Sequence, residues 1–244
     1  MTEILKRPPQ GLLLDYGGTL VEEVSVDPRA GNEWVLSRAS YRPPHVSLED
    51  VLERANRVTR EVAGRRDQVH LETAWPALTR LIHDFFGIRF DAPMAELELG
   101  FWKASVQTRP MPGARKALEQ FHRSSVPTAV VSNTCFSEPV IRYELDQHGL
   151  ADHLAFVMVS ADYSVRKPNV LLFETAAARL GIRPKDIWFV GDRLDTDVVG
   201  AKAAGMTAVW FNPDNRQDPT HGADLTVADW EDFIRHAPGG ERQA

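Results

Sequence analysis

Apolar and polar positions change rhythm twice along this chain. The first apolar run, Leu12-Leu13-Leu14, ends on Asp15 and breaks at Gly17-Gly18. An unbroken apolar stretch of this kind marks a strand buried on both faces, as in a parallel sheet. After Leu20 the strand signal vanishes until about Thr128, and helical spacing takes over. Val51, Leu52, Ala55, Val58 and Val62 form one amphipathic face, with Ser47 as its cap and Asp50 three residues later. Ala77, Leu78, Leu81, Ile82 and Phe85 form a second face ending at Gly87, and a third helix is predicted from Ala92 to Gln107. From Met111-Pro112-Gly113-Ala114 onward helices and strands alternate: a helix over 114–124, a strand over 127–132 and a helix over 137–147. Strands follow at Phe156 to Ser160, Ile187 to Gly191 and Thr207 to Phe211, separated by helices at Asn169 to Leu180 and Asp197 to Ala204. Asp224 to Val227 adds an edge strand, and Pro238 to Ala244 reads as a disordered end. The fold class predicted is α/β, a doubly wound parallel sheet.

Composition narrows the function classes. A chain of 244 residues, 43% hydrophobic and 25% charged, is long enough for a substantial core. A net charge of -6 argues against nucleic acid as a partner, because phosphate-backbone affinity needs a basic surface. One cysteine, Cys135, leaves no internal disulfide and no cysteine zinc site, and reads as a small buried residue in a reducing compartment. No stretch approaches the roughly 18 apolar residues of a membrane span, and Lys6-Arg7 lead into a core strand, not a secretion signal. The expectation is a cytoplasmic protein, monomer or homodimer, with no nucleic-acid or membrane partner.

The chemistry concentrates at strand ends, where ligands bind in open α/β sheets. Asp15 closes the first strand, Ser132 and Asn133 close Thr128-Ala129-Val130-Val131, Lys167 stands in Arg166-Lys167-Pro168, and Gly191-Asp192 with Asp197 follows Ile187-Trp188-Phe189-Val190. Taken singly, each has an ordinary structural reading as a turn residue, a cap or a helix approach. In this order they resemble the four motifs of the haloacid dehalogenase superfamily, spanning Asp15 to Asp197. The resemblance implies a Rossmann-like core of residues 1–21 and 109–244 and an all-helical cap inserted at 22–108. It implies that Asp15 attacks phosphorus to form an aspartyl-phosphate, and that Lys167 holds carboxylate and phosphoryl oxygens. Ser132 and Asn133 would bind phosphate at the amino end of a helix. Asp15, the Gly17 carbonyl and Asp192 would bind Mg2+, with Asp197 orienting waters or Lys167 and Asp195 as fallback.

One position departs from the pattern. The family's phosphatases carry a second Asp two residues after the nucleophile, as general acid and base, and here the position is Gly17. In an extended loop residues 15 and 17 project to one side and Tyr16 to the other, so Tyr16 is a poor stand-in. A positioned acid or base is worth about 10²- to 10⁴-fold, so the expected enzyme is a Mg2+-dependent phosphatase acting on a small phosphorylated metabolite with an activated leaving group, or one borrowing an acid from cap or substrate. The alternative is a catalytically impaired relative that binds phosphate or a protein. The dehalogenase branch fits poorly because Gly191-Asp192 is a metal-binding pattern, and the phosphonate-cleaving branch needs a cap lysine near the first motif, where only the distant Lys103 is available. The cap holds ten arginines; among them Arg38, Arg42, Arg65 and Arg66, with Trp34, Trp75 and Trp102, are candidates to grip an anionic or aromatic substrate.

Overall fold

A computed structural model describes residues 8–219 and 222–237; the expected disorder of 238–244 lies outside them. The first strand, β1 (Gly11–Leu14), leads into a polar hairpin arm, β2 (Val21–Val26). There follow α1 (Pro28–Ser37), β3 (Ala39–Tyr41), α2 (Leu48–Val69), α3 (Trp75–Phe86), β4 (Arg89–Phe90), α4 (Met94–Ser105) and β5 (Val106–Pro110). The chain then alternates through α5 (Ala114–Arg123), β6 (Thr128–Ser132), α6 (Glu138–Gln147), β7 (Val157–Val159), α7 (Ser160–Tyr163), α8 (Val170–Leu180) and β8 (Ile187–Gly191). A π-helical turn at Leu194–Val198 precedes α9 (Val199–Ala203), then β9 (Thr207–Phe211), β10 (Leu225–Val227) and α10 (Trp230–His236).

Six strands form one sheet in the order β10-β9-β8-β1-β6-β7, every pair parallel. Leu12, Leu13 and Leu14 have no exposed surface, which is why β1 reads as an uninterrupted apolar run. Leu12 and Leu14 face a core shared with Phe121, Trp188 and Trp230, and Leu13 faces the opposite layer with Phe173 and Phe189. Helices therefore cover both sheet faces. The connections leave β1 for β6 on one side while β8 closes on the other, placing the switch in strand order at the carboxyl end of β1.

The segment between β1 and β6 is mostly helical but not wholly so. β2 pairs antiparallel with β5, and β3 with β4. The sequence conceals the ribbons for a physical reason: beyond Val21, β2 is increasingly exposed on both faces, so no alternation marks it and its order comes from backbone pairing. The capping box predicted at Ser47 and Asp50 is present, and α3 ends at Gly87 in the left-handed conformation. α1 was not apparent from spacing; it starts at Pro28 under an Asp27 cap and buries Gly31, Asn32, Val35 and Leu36.

Within this segment His83 is 4% exposed, lies 4.9 Å from the Phe90 ring, and among the described residues has no hydrogen-bond partner at either ring nitrogen. Burial lowers its pKa from 6.5 to about 4. The unfolded chain therefore binds this proton more readily, and the contribution is fully present above pH 6.5 and lost as pH falls through 4. Chemical denaturation across that range is expected to show up to about 3 kcal/mol of acid destabilisation from this residue. His83→Phe is expected to flatten that part of the profile; an unchanged slope would remove His83 as its source.

Candidate active site

The sheet brings the ends of β1, β6 and β8 and the loop before α8 around one point. Asp15 leaves β1 with its backbone N–H donating to the Val190 carbonyl at 2.9 Å, so the nucleophile candidate is held in register with β8. The loop then closes tightly: Leu20 and Val21 both donate to the Tyr16 carbonyl, at 2.9 and 3.0 Å. Gly18 has φ +71, and a Cβ there would stand 2.9 Å from the Asp192 carboxylate; backbone conformation and close approach both require glycine. Gly17 is different, since a Cβ built on it meets nothing within 4 Å.

Lys167 lies at the centre. Its Nζ donates to Asp15 Oδ1 at 2.6 Å and stands 2.8 Å from Asp197 Oδ1, with the side chain 2% exposed. Asn133 fixes the lysine's backbone, accepting from Lys167 N at 2.8 Å and donating to Lys167 O at 2.9 Å. Asp197 is held by the Arg193 backbone N–H at 3.0 Å and packs so close to Gly191 that a Cβ there would lie 2.3 Å away. Asp192 follows β8; its carbonyl accepts from Trp210 Nε1 at 2.9 Å and from Arg216 at 2.7 Å, and the Arg216 guanidinium stands 3.7 Å from its carboxylate.

Carboxylate oxygens of Asp15, Asp192 and Asp197 lie within 4.8 Å of one another. Burial, with Asp197 and Asp192 nearby, raises the Asp15 pKa against the opposing pull of Lys167. Asp192 is pushed up to about 6 by burial and Asp197, with Arg216 opposing. Burial works against the Lys167 ammonium, but Asp15 and Asp197 together hold its pKa above the ordinary value. Three carboxylates against the Lys167 ammonium and the Arg216 guanidinium still leave an excess of negative charge that a divalent cation would offset. The donor set is hard oxygen, suited to Mg2+ with waters and phosphate completing its shell.

The cleft above this cluster has a volume of about 360 Å³ and is lined among others by Ser132, Thr134, Arg166, Trp102, Glu22 and Glu23. Ser132 ends β6 facing it. Several expectations change here. Asn133 borders the cleft with Ser132, and its side-chain amide binds the Lys167 backbone, so the side chain positions the lysine. The helix amino end invoked for phosphate is also occupied: α6 starts only at Glu138, where Glu98 accepts from Ser137 N at 2.9 Å and Asp162 from Glu138 N at 3.2 Å. Asp195 pairs with Arg193 at 2.7 Å on the surface and has no part in the cluster. Tyr16 packs into the core while also bordering the cleft, its hydroxyl buried without a hydrogen-bond partner among the described residues. Of the cap arginines and tryptophans singled out, Trp102 alone lines the cleft. Cys135 is half-buried, not fully buried as expected, and burial and Glu72 push its thiol up to about 12.

Sequence reading missed Arg216, Glu72 and Ser160. Arg216 is placed by Asn212, whose side chain accepts from its backbone N–H at 2.9 Å; both belong to a polar loop without periodicity. Glu72 and Ser160 meet only through tertiary contact, at 2.8 Å. No local pattern marks Arg216 or Glu72, and Ser160, at the end of a predicted strand, carries no local sign of its partner.

Compared with known proteins, residues 9–205 match the family profile of the haloacid dehalogenase-like hydrolases. A glyceraldehyde 3-phosphate phosphatase from Pyrococcus furiosus is 29% identical over 185 residues, covering 68% of this chain and 73% of that protein. A ribulose-1,5-bisphosphate 5-phosphatase from Halopiger xanaduensis is 31% identical over 140 residues, 56% of this chain and 58% of that protein, so this second alignment spans just over half of the relative's length. The crystal structure of a HAD phosphatase from Thermococcus onnurineus superposes with a TM-score of 0.65 and 26% identity, over 96% of this chain and 99% of that one.

Proposed function

The chain belongs to the haloacid dehalogenase-like hydrolases, and from that premise we propose that it is a Mg2+-dependent phosphatase working through an aspartyl-phosphate on Asp15, with activated leaving groups favoured. The observation that carries this reading is Lys167 held between Asp15 and Asp197 beside an open position at Gly17. Residues 1–21 and 109–244 form the catalytic core in this reading, and 22–108 form the cap over a small phosphorylated metabolite. The phosphatases among its relatives support a phosphoric monoester substrate. No helix among the described residues is long and apolar enough to cross a membrane, and the cytoplasm is the location we propose.

An Asp15 oxygen attacks phosphorus, forming the Asp15 O–P bond as the bond to the leaving oxygen breaks. Lys167 orients the carboxylate and balances phosphoryl charge in a site sheltered from water. Ser132 and the backbone of its loop face the transferring group. Asp15, the Gly17 carbonyl and Asp192 would hold Mg2+, whose charge neutralises phosphoryl oxygens when it is bound. No side chain at position 17 protonates the leaving oxygen, so it departs as an anion or takes a proton from the substrate. Water then cleaves the acyl phosphate, returning Asp15 and releasing phosphate.

An aryl phosphate and an alkyl phosphate read this directly. The aryl ester should be turned over at least about 10²-fold faster than the alkyl ester, the lower end of what a positioned acid contributes. Equal, fast rates on both would show that the missing acid costs nothing. Gly17 also motivates a second reading, a phosphate-binding relative without turnover. A beryllofluoride adduct on Asp15 in Mg2+ supports the enzyme, and no adduct with any activated phosphate supports the binding protein.

A further inference from the structure

One buried carboxylate carries the 22–108 insertion into the site. Glu72 lies in the turn between α2 and α3, its side chain without exposed surface. It accepts from Ser160 Oγ at 2.8 Å and, in a closer contact, from the Arg166 guanidinium, with Arg66 at 3.8 Å. The backbone around it is seated on the core: Glu72 N donates to Ser164 O at 3.1 Å, Arg166 N to His70 O at 2.9 Å, and Trp75 N to Cys135 O at 2.7 Å. Leu71 and Val165 form an antiparallel bridge in the same place.

Two routes lead from this carboxylate to the reacting groups. Ser160 Oγ also accepts from Thr134 N at 2.9 Å, which fixes the loop that follows Ser132 and carries Asn133. Arg166 lines the cleft and directly precedes Lys167, whose backbone Asn133 clamps from the other side. The serine loop and the lysine loop therefore meet twice, once at Asn133 and once at Glu72. A carboxylate wholly removed from water is tolerated only where it is paired and hydrogen-bonded. Glu72 has those partners only while the 70–75 segment rests on the core, so the docking of the insertion and the alignment of the two loops are one event.

We infer that Glu72 is a positioning residue, delivered by the insertion, that aligns the Ser132–Thr134 and Arg166–Lys167 loops for gripping a phosphoryl group. The phosphatase reading identifies the gripped group, and the inference rests on it to that extent. Inorganic phosphate in excess Mg2+ is a sufficient probe, titrated calorimetrically into the full chain, its Glu72→Gln variant and its Ser160→Ala variant. Glu72→Gln keeps the size and an acceptor but removes the charge opposite Arg166, and should raise the phosphate Kd about tenfold or more, the scale of one lost charge-assisted contact. Ser160→Ala cuts only the Thr134 route and should raise it by about three- to tenfold. Mg2+ affinity without phosphate should stay within about twofold of wild type, because Glu72 is not among the carboxylates near the cation site.

A phosphate Kd within about twofold of wild type in both variants overturns the inference, as does a parallel loss of Mg2+ affinity, which would mean general loosening. If Glu72→Gln does not fold by circular dichroism, Ser160→Ala decides alone. A wild-type chain that binds no phosphate at all fails at the phosphatase reading itself, and the inference falls with it; a wild type that binds phosphate beside variants that bind it equally well fails only the inference.

Discussion

Asp15→Asn will lose phosphatase activity by at least about 10⁴-fold, on the scale seen when a covalent nucleophile is removed. The amide keeps the size of the carboxylate, and Lys167 keeps its contact with Asp197 at 2.8 Å. Burial and neighbouring carboxylates raise the Asp15 pKa, which means that its ionised form is held at a cost. A neutral side chain removes that cost but also one of the two carboxylates that hold the buried Lys167 ammonium, so thermal stability is measured beside activity to separate loss of the nucleophile from loss of fold. Activity assays on both proteins, purified in parallel, also exclude a contaminating phosphatase. Residual turnover within about tenfold of wild type would show that another residue is the nucleophile, and the aspartyl-phosphate route would be abandoned.

Gly17→Asp should produce the opposite change. The position is sterically open, with no atom within 4 Å of a built Cβ and no positive φ to strain a side chain. The new carboxyl would join Asp15, Asp192 and Asp197, already within 4.8 Å of one another. Crowding among like charges favours the protonated form, which suits an acid. Alkyl phosphate turnover should rise by about 10²- to 10⁴-fold, about 3 to 5 kcal/mol of barrier. The aryl phosphate rate should barely move, because its leaving oxygen needs little protonation. An alkyl rate unchanged in the folded variant would mean that the proton already comes from elsewhere, and the preference for activated leaving groups would lose its cause.

The two substitutions have different foundations. Asp15 was identifiable from Leu12-Leu13-Leu14 and the glycines after it, because a buried parallel strand must be apolar on both faces and its carboxyl end must be where the chain turns. Ser132 and Asp192 were identifiable for the same reason, and Lys167 through the resemblance of its Arg166-Lys167-Pro168 motif. Their distances were not: 152 residues separate Asp15 from Lys167, yet the ion pair is 2.6 Å long. Asn133 shows the limit of local reasoning, since a polar residue at a strand end has several acceptable partners, and only the fold decides that Lys167 backbone is the one it takes.

The polar parts of the insertion were least legible. β2 and β5 find each other through backbone hydrogen bonds that leave no side-chain rhythm. Arg216 and Glu72 lie in polar stretches without periodicity, yet one stands by Asp192 and the other is buried against Ser160 and Arg166.

By itself, then, the amino-acid order determined the α/β alternation and the strand ends that carry Asp15, Ser132 and Asp192, because burial imposes a period on side chains and leaves a readable trace, while Lys167 and the carboxyl missing at Gly17 were legible through the resemblance of the motifs. Only the tertiary structure decided that Asp197 shares Lys167 with Asp15, that Asn133 holds a lysine, that Glu98 closes the start of α6, and that Glu72 ties the insertion to the core. Those choices are made by charged and polar groups whose partners are distant in the chain. Their free energy comes from a meeting that folding alone brings about, and neither partner marks the other in advance.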